Sequence, residues 1–329
     1  MKTALVLVAG CVFVVGVAVV ALFAGVHSVP VSALWGEGSD VQIAVLWELR
    51  LPRICVAFLA GAGLAAAGAA FQAVFRNPLA TPFTLGVASG ASLGVALYVA
   101  AGFSFATWCL PGRTWFALAG AMATVGLVYA LTRLRRGFSN AGMLLAGVAI
   151  SYFFSSLILL IQYLSDFTQS YRILRWIMGG LAGTVGFADA YSLLPGVLLG
   201  CGILLFHARE LNLLACGGEI AAARGVAVDA VKRRLFFAAS LAVGTVVSIC
   251  GPIGFVGLMV PHMCRLAFGP DHHRLLPATW LFGGAFLIAC DTAARCIMPP
   301  TELPVGVLTA LLGGPFFLAL LLTRTIRAD

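Results

Sequence analysis

The chain has 329 residues, 61% of them hydrophobic and only 10% charged, with a net charge of +8 and a mean hydropathy of +1.05. A soluble globular chain carries about 25% charged residues, so this composition excludes an ordinary soluble domain. A bilayer-spanning helix takes roughly 20 mostly apolar residues, which leaves room for about ten spans and little else. The expected architecture is one all-α, polytopic transmembrane domain over residues 1–329.

The first apolar run, 4–26, is longer than the roughly 7–15 residues of a signal-peptide core, and no small-residue cleavage site follows it. It reads as a retained first helix. Pro30, Gly36, Gly38 and Asp40 then break the pattern, and Trp35 and Trp47 suit a membrane interface. Arg50 and Arg53 head the second helix, 54–74. Two readings of them are open: snorkelling to the interface, or a positive outer patch for an acidic partner. Gly61, Ala65 and Ala69 recur at four-residue spacing, a stripe that lets helices approach closely in lipid. Asn77-Pro78 stops the helix, and a third is expected to open at Thr84 and run through 84–103.

The fourth run, 115–132, closes on Arg133, Arg135 and Arg136. In the fifth, 141–164, Gly147, Ser151 and Ser155 share a face that is either a packing seam or a mildly polar path wall. Arg172 and Arg175 lie three apart between the fifth and sixth runs. They either snorkel or sit near the path of an anionic cargo. After the sixth run, 189–206, comes the longest stretch that belongs in water, HARELNLLACGGEIAAARGVAVDAVKRR at 207–234. The last four runs are 235–250, 253–268, 275–297 and 304–323. Gly251, Pro252 and Pro261 imply broken or tilted helices. His262 is expected to be a structural hydrogen-bonding residue. Asp291 and Arg295, four apart near the outer end, read as a local pair at the interface.

Ten passes put both termini on one side. With the N-terminus cytoplasmic, 14 of the 20 Lys and Arg residues fall inside, and Arg50, Arg53, Arg113, Arg172, Arg175 and Arg295 fall outside. Cytoplasmic loops retain basic residues, so this orientation is expected, and 207–234 is then cytoplasmic. Small-residue helices headed by Arg start at Arg50 and Arg233 on opposite sides, the pattern of an inverted internal repeat.

The nine Cys form no C-x-x-C pair and read as packing residues; no metal ligand set or cofactor site is expected. There is no phosphate loop, so nucleotide must be bound by another chain. With no paired buried carboxylates and no activated nucleophile, the chain is not expected to be an enzyme. A secondary transporter would need acids near the midplane, for which Asp291 is the one candidate. A membrane-embedded enzyme has only His262 and the scattered Cys behind it.

The motifs LPR at 51–53, FRNPLATP at 75–82, LGVASGASLG at 85–94, LLAGVAIS at 144–151, GPIGFVGLMVPHMCR at 251–265 and ELPVGVLTALLGGPFF at 302–317, with Asp291 and Arg295 between the last two, resemble the permease subunits of type II ABC importers for iron-siderophores, haem and cobalamin. The sequence departs from that pattern at Thr81, where Asp is frequent, and at Ala223-Arg224-Gly225, where Ser-Leu-Gly is common. The resemblance implies a homodimer in the cell inner membrane, a cytoplasmic ABC ATPase dimer beneath it and a periplasmic or lipid-anchored binding protein above. It implies no nucleic-acid partner. Arg50, Arg53 and Arg295 match positions that receive acidic residues of the binding protein. Gly218, Glu219, Ala222, Arg224 and Gly225 match a short helix that couples to the ATPase. Asn140, Gly147, Ser151, Ser155 and Thr309 match path-lining or gate positions. A ferric siderophore or haem is the expected cargo, with cobalamin as the alternative.

Overall fold

The computed structural model describes residues 2–25, 29–107, 110–134, 140–183, 186–299 and 301–325; Cys109, Arg135, Arg136 and Arg327 lie outside the described residues. Helix α1 is Lys2–Phe23. A 3-10 turn at Val31–Trp35 and the short α2, Asp40–Ala44, lead through a π-helical turn at Val45–Arg50 into α3, Leu51–Phe75. Next come α4 (Val87–Ala100), the two-residue antiparallel strands β1 (Ala106–Thr107) and β2 (Leu110–Pro111), α5 (Gly112–Leu134) and α6 (Asn140–Leu164). Ala106 pairs with Pro111 and Thr107 with Leu110. The amphipathic α7 (Phe167–Ile177) precedes α8 (Phe187–Phe206), α9 (Ala208–Cys216) and α10 (Gly218–Ala223). The chain ends with α11 (Val228–Cys250), α12 (Val256–Phe268), α13 (His272–Ile297) and α14 (Val305–Thr325).

Six of these segments are long and apolar enough to cross a bilayer, and four shorter apolar helices, α1, α4, α12 and α14, complete the ten-pass bundle. The shortest, α4 and α12, cover only about 20 Å at 1.5 Å per residue, less than the roughly 30 Å hydrocarbon core. Each is preceded by irregular backbone that the protein itself buries in large part, around 80–86 and 251–255. Non-helical backbone at membrane depth is tolerated under such cover.

The start of α4 differs from the expectation at Thr84. Thr81 and Thr84 cap each other instead, through Thr81 N–H to Thr84 Oγ1 at 3.1 Å and Thr84 N–H to Thr81 Oγ1 at 3.3 Å. Gly86 then turns the chain with φ of 81°, so the helix begins at Val87.

Lipid tails are as apolar as leucine, so hydrophobicity does not choose which helices pair; close packing does. In α3, 21 of 25 residues are buried, against α8, α11, α12 and α13. A Cβ on Gly61 would collide with the Gly283 carbonyl of α13, and one on Gly68 with Gly257 of α12. Helices α3 and α13 run antiparallel: Phe58 meets Trp280, and Arg53 meets Asp291. Helices α3 and α11 are likewise antiparallel neighbours, with Phe71 against Phe236 and Gly63 beside Val246. By contrast, only 17% of the apolar window of α6 is buried, which puts α6 on the rim.

The alternation places Arg53, α7 and the end of α13 at one end of the bundle, here the arginine end. Helices α9 and α10 lie at the other. Helix α1 runs parallel to α13, with Gly10 beside Leu281 and Ala21 beside Arg295. Helix α14 starts near Gly179 at the arginine end, so the start of α1 and the end of α14 belong to the α9–α10 end.

Candidate functional site

At the arginine end a carboxylate is buried among cations. Asp291, 1% exposed, accepts from Arg53 in a two-pronged contact: Nε at 3.0 and 2.9 Å and Nη2 at 2.8 Å. Arg53 Nη1 also donates to Glu302 at 2.9 Å. Arg295 Nε lies 3.2 Å from Asp291 Oδ2, within ion-pair distance but off the hydrogen-bond direction. Its Nη2 reaches Thr292 Oγ1 and the Ala21 carbonyl. Arg50, 5% exposed, donates to the Leu22 carbonyl at 2.6 Å and so closes the C-terminal end of α1.

The i,i+4 pair of Asp291 and Arg295 expected from the sequence is present. The dominant contact of Asp291 is with Arg53, 238 residues away, and the group is buried. A buried carboxylate is held only where its lone pairs are well satisfied, and one i,i+4 neighbour supplies only part of that. Arg50, Arg53 and Arg295 are all largely buried within the chain.

A cavity of about 860 Å³ opens beside this cluster, lined by Arg50, Arg53, Arg175, Arg295 and Glu302 among others. Four arginines against one glutamate, with buried Asp291 behind, leave its wall net positive. Asp166 starts α7 by accepting from the Gln169 N–H at 2.7 Å. Ile173 anchors that helix while Arg172 and Arg175 stay exposed; of the two, Arg175 reaches the cavity wall. Three backbones meet below. Gly180 N–H donates to the Cys250 carbonyl and Gly306 N–H to the Gly179 carbonyl, and a Cβ on Gly179 would collide with Pro252. That junction accounts for the Gly/Pro density at 251–254 and for Gly306.

At the opposite end, Leu211, Leu214 and Ala221 fasten α9 and α10 to the core. Glu219, Ile220, Ala222 and Arg224 face out. Gly225, with φ of 81°, ends the turn in the left-handed region, where glycine carries no Cβ penalty. The short helix is therefore where the resemblance put it; expected over 219–224, it spans Gly218–Ala223. Nearby, Asn140 bridges three helices: its Nδ2 donates to the Val74 carbonyl at 3.2 Å, and Lys232 Nζ donates to its Oδ1 at 3.0 Å. Arg233 and Arg234 are exposed.

The other path residues do not share one surface. Gly147 is buried against Thr84 and Leu85, where a Cβ would come within 2.6 Å of backbone. Ser151 donates to the Gly147 carbonyl, and Ser155 is exposed. Thr309 is fully buried and donates to the Gly306 carbonyl one turn back. His262 meets Phe316 of α14 edge-on at 6.1 Å.

Nothing in the sequence pointed to a polar knot between α9 and α13. Asn212 Nδ2 donates to Asp271 at 2.7 Å, and Asn212 Oδ1 accepts from the His272 N–H at 2.8 Å and from His272 Nδ1 at 2.7 Å. Asp271 also caps α13 through the His273 N–H. The cap could have been read from Asp before an apolar helix; its bond to Asn212 could not. The Asn212 hydrogen bond holds the Asp271 carboxyl below its ordinary value of 3.8. Among the described residues no cluster of three or more His, Cys, Asp or Glu could hold a metal ion.

The model of the FecCD transport family matches residues 10–323, nearly the whole chain. This chain belongs to the FecCD transport family. Its FecCD relatives include the cobalamin import system permease BtuC of Halobacterium salinarum, 42% identical over 89% of this chain and 77% of the relative. The hemin transport system permease HmuU of Yersinia pestis is 38% identical over 91% of this chain and 90% of its own. The iron(3+)-hydroxamate import permease FhuG of Bacillus subtilis is 35% identical over 88% and 86%. Among solved structures, a metal-chelate type ABC transporter in an inward-facing conformation superposes with a TM-score of 0.87 at 34% identity, covering 96% of this chain and 98% of that one. The chain is thus a multi-pass membrane protein with the permease fold of ABC importers.

Proposed function

We propose that this chain is the permease subunit of an ATP-driven importer whose cargo is a metal chelate. The whole-length likeness to a metal-chelate type ABC transporter carries this reading. A ferric siderophore, haem and cobalamin all belong to that cargo class, as the names of its relatives do. The subunit works as a homodimer in the cell inner membrane with the α9–α10 end cytoplasmic. This orientation keeps 14 of 20 basic residues inside.

In this reading α10 seats in a groove of a separate ATPase. Glu219, Ile220, Ala222 and Arg224 make the contact, and Gly218 and Gly225 set its ends. The positive wall at the arginine end receives acidic side chains of an external binding protein, and charge complementarity sets its orientation and on-rate. Because Arg50, Arg53 and Arg295 hold buried partners, the exposed Arg172 and Arg175 supply the first electrostatic contact, with the buried three behind them. Asn140, Gly147, Ser151, Ser155 and Thr309 act at the path and inner gate by positioning α6 and α14.

The test is uptake into proteoliposomes holding this chain with its ATPase and binding protein. Accumulation of haemin, a ferric hydroxamate or cyanocobalamin that requires ATP and both partners is expected. Uptake that survives without the ATPase and collapses with the proton gradient would overturn the reading in favour of a secondary transporter.

A further inference from the structure

We propose that Asn212 is a positioning residue that locks the cytoplasmic coupling segment to α13, so that movement of α9 and α10 reaches the arginine end through α13. The proposal rests on the importer reading above and adds a specific mechanical link to it.

The starting observation is the density of bonds at one point. A single amide makes three hydrogen bonds of 2.7–2.8 Å, all to Asp271 and His272 where α13 begins. The partners fix which way the amide points. The His272 N–H can only donate, so it faces Oδ1; the Asp271 carboxylate can only accept, so it faces Nδ2. The same Oδ1 calls for a proton on His272 Nδ1. Asp271 in turn accepts the His273 N–H and, through its carbonyl, those of Arg274 and Leu275. The first turn of α13 is thus tied through two residues to one side chain of α9.

Each side of that knot is packed into the bundle. Leu211 and Leu214 flank Asn212 and are almost fully buried, so α9 is wedged rather than lying loose on the surface. Only Gly217 separates α9 from the exposed α10. Helix α13 runs from His272 to Ile297 with Pro277 in its second turn, and is clamped against α3 where Gly61 meets Gly283. From His272 to Asp291 is about 28 Å at 1.5 Å per residue. There Asp291 binds Arg53 and Arg295, both in the wall of the cavity. One helix therefore ends at the coupling segment on one side and carries the central carboxylate of the arginine cluster on the other.

The experiment compares the wild type, Asn212→Asp and the double variant Asn212→Asp/Asp271→Asn in proteoliposomes with the ATPase and binding protein. The single change puts two carboxylates together. The double change restores a donor facing an acceptor between 212 and 271; because Asp271 Oδ1 alone takes both the Asn212 amide and the His273 N–H, the restored link is made at the expense of that cap bond. The readout is cargo accumulated per ATP hydrolysed, with whichever of haemin, ferric hydroxamate or cyanocobalamin the wild type takes up. The ratio is expected to fall at least about fivefold in N212D, within the range of allosteric coupling, and to recover in the double variant. A purely structural role would lower the amount of assembled complex and leave the ratio unchanged. An unchanged ratio in N212D overturns the proposal. So does a loss of assembly in N212D that the double variant restores, or a failure of the double variant to recover either property. If the wild type itself shows no ATP-dependent uptake, the importer reading fails independently of the lock.

Discussion

Asp291 shows what single residues do in this molecule. Its carboxylate is buried between Arg53 and Arg295, so removing it leaves two cations without their shared counter-charge. Breaking a buried ion pair from one side costs about 3–5 kcal/mol. Asp291→Ala is expected to lower thermal stability in detergent by that order. Glu302 also touches Arg53, but its side chain is 39% exposed. Glu302→Ala is expected to cost about 0–1 kcal/mol, as exposed pairs do. Equal losses for the two would show that burial does not separate them. Asp271 gives a pH prediction of definite sign. Its folded value lies below the ordinary 3.8, chiefly through the Asn212 hydrogen bond. The stability it adds is therefore complete above the unfolded value and lost only as pH falls through the folded one. Between about pH 5 and 8 this carboxylate contributes no slope to stability, which pH-dependent unfolding of wild type against Asp271→Asn would check.

At the scale of elements, α10 combines a buried anchor, Ala221, with an exposed face of Glu219, Ile220 and Arg224. A helix of six residues has little intrinsic stability, so its shape is set by Leu214 and Ala221 docking and by the Gly225 turn. Replacing 219–224 with a Gly/Ser linker is expected to keep the transmembrane fold and abolish ATP-dependent uptake. Normal uptake by that variant would remove α10 from the coupling role. Helix α3 is the opposite kind of element, buried nearly throughout. Gly61→Val is expected to force α3 and α13 apart, because the added Cβ would collide with the Gly283 carbonyl. Loss of folded protein on size-exclusion chromatography is the check, with Gly202→Val, which meets nothing within 4 Å, as the tolerated control.

At the scale of the molecule, the two polar ends serve different partners in the proposed importer, and their arginines are not equivalent. Reversing Arg50, Arg53 or Arg295 would disturb buried contacts, so it is a poor probe of docking. Arg172→Glu with Arg175→Glu changes exposed charge only. This variant is expected to assemble with the ATPase normally and to bind the external protein several-fold more weakly at low salt, with the difference shrinking as salt is raised. Unchanged binding at low salt would place docking elsewhere.

Apolar length and Gly/Pro breaks were enough to read the apolar helices, because a bilayer imposes segment length and backbone satisfaction locally. The short helix at 218–223 was expected from the family resemblance rather than from local pattern, and it lies between Gly217 and the left-handed Gly225. Partners distant in sequence were not readable this way. Arg53 with Asp291, Asn140 with Lys232 and Asn212 with Asp271 join residues from different helices, and no periodicity records such pairs. Only the tertiary structure decides which buried charge meets which. In an apolar bundle a stranded ion is costly, and the helix packing alone determines what lies within reach of it.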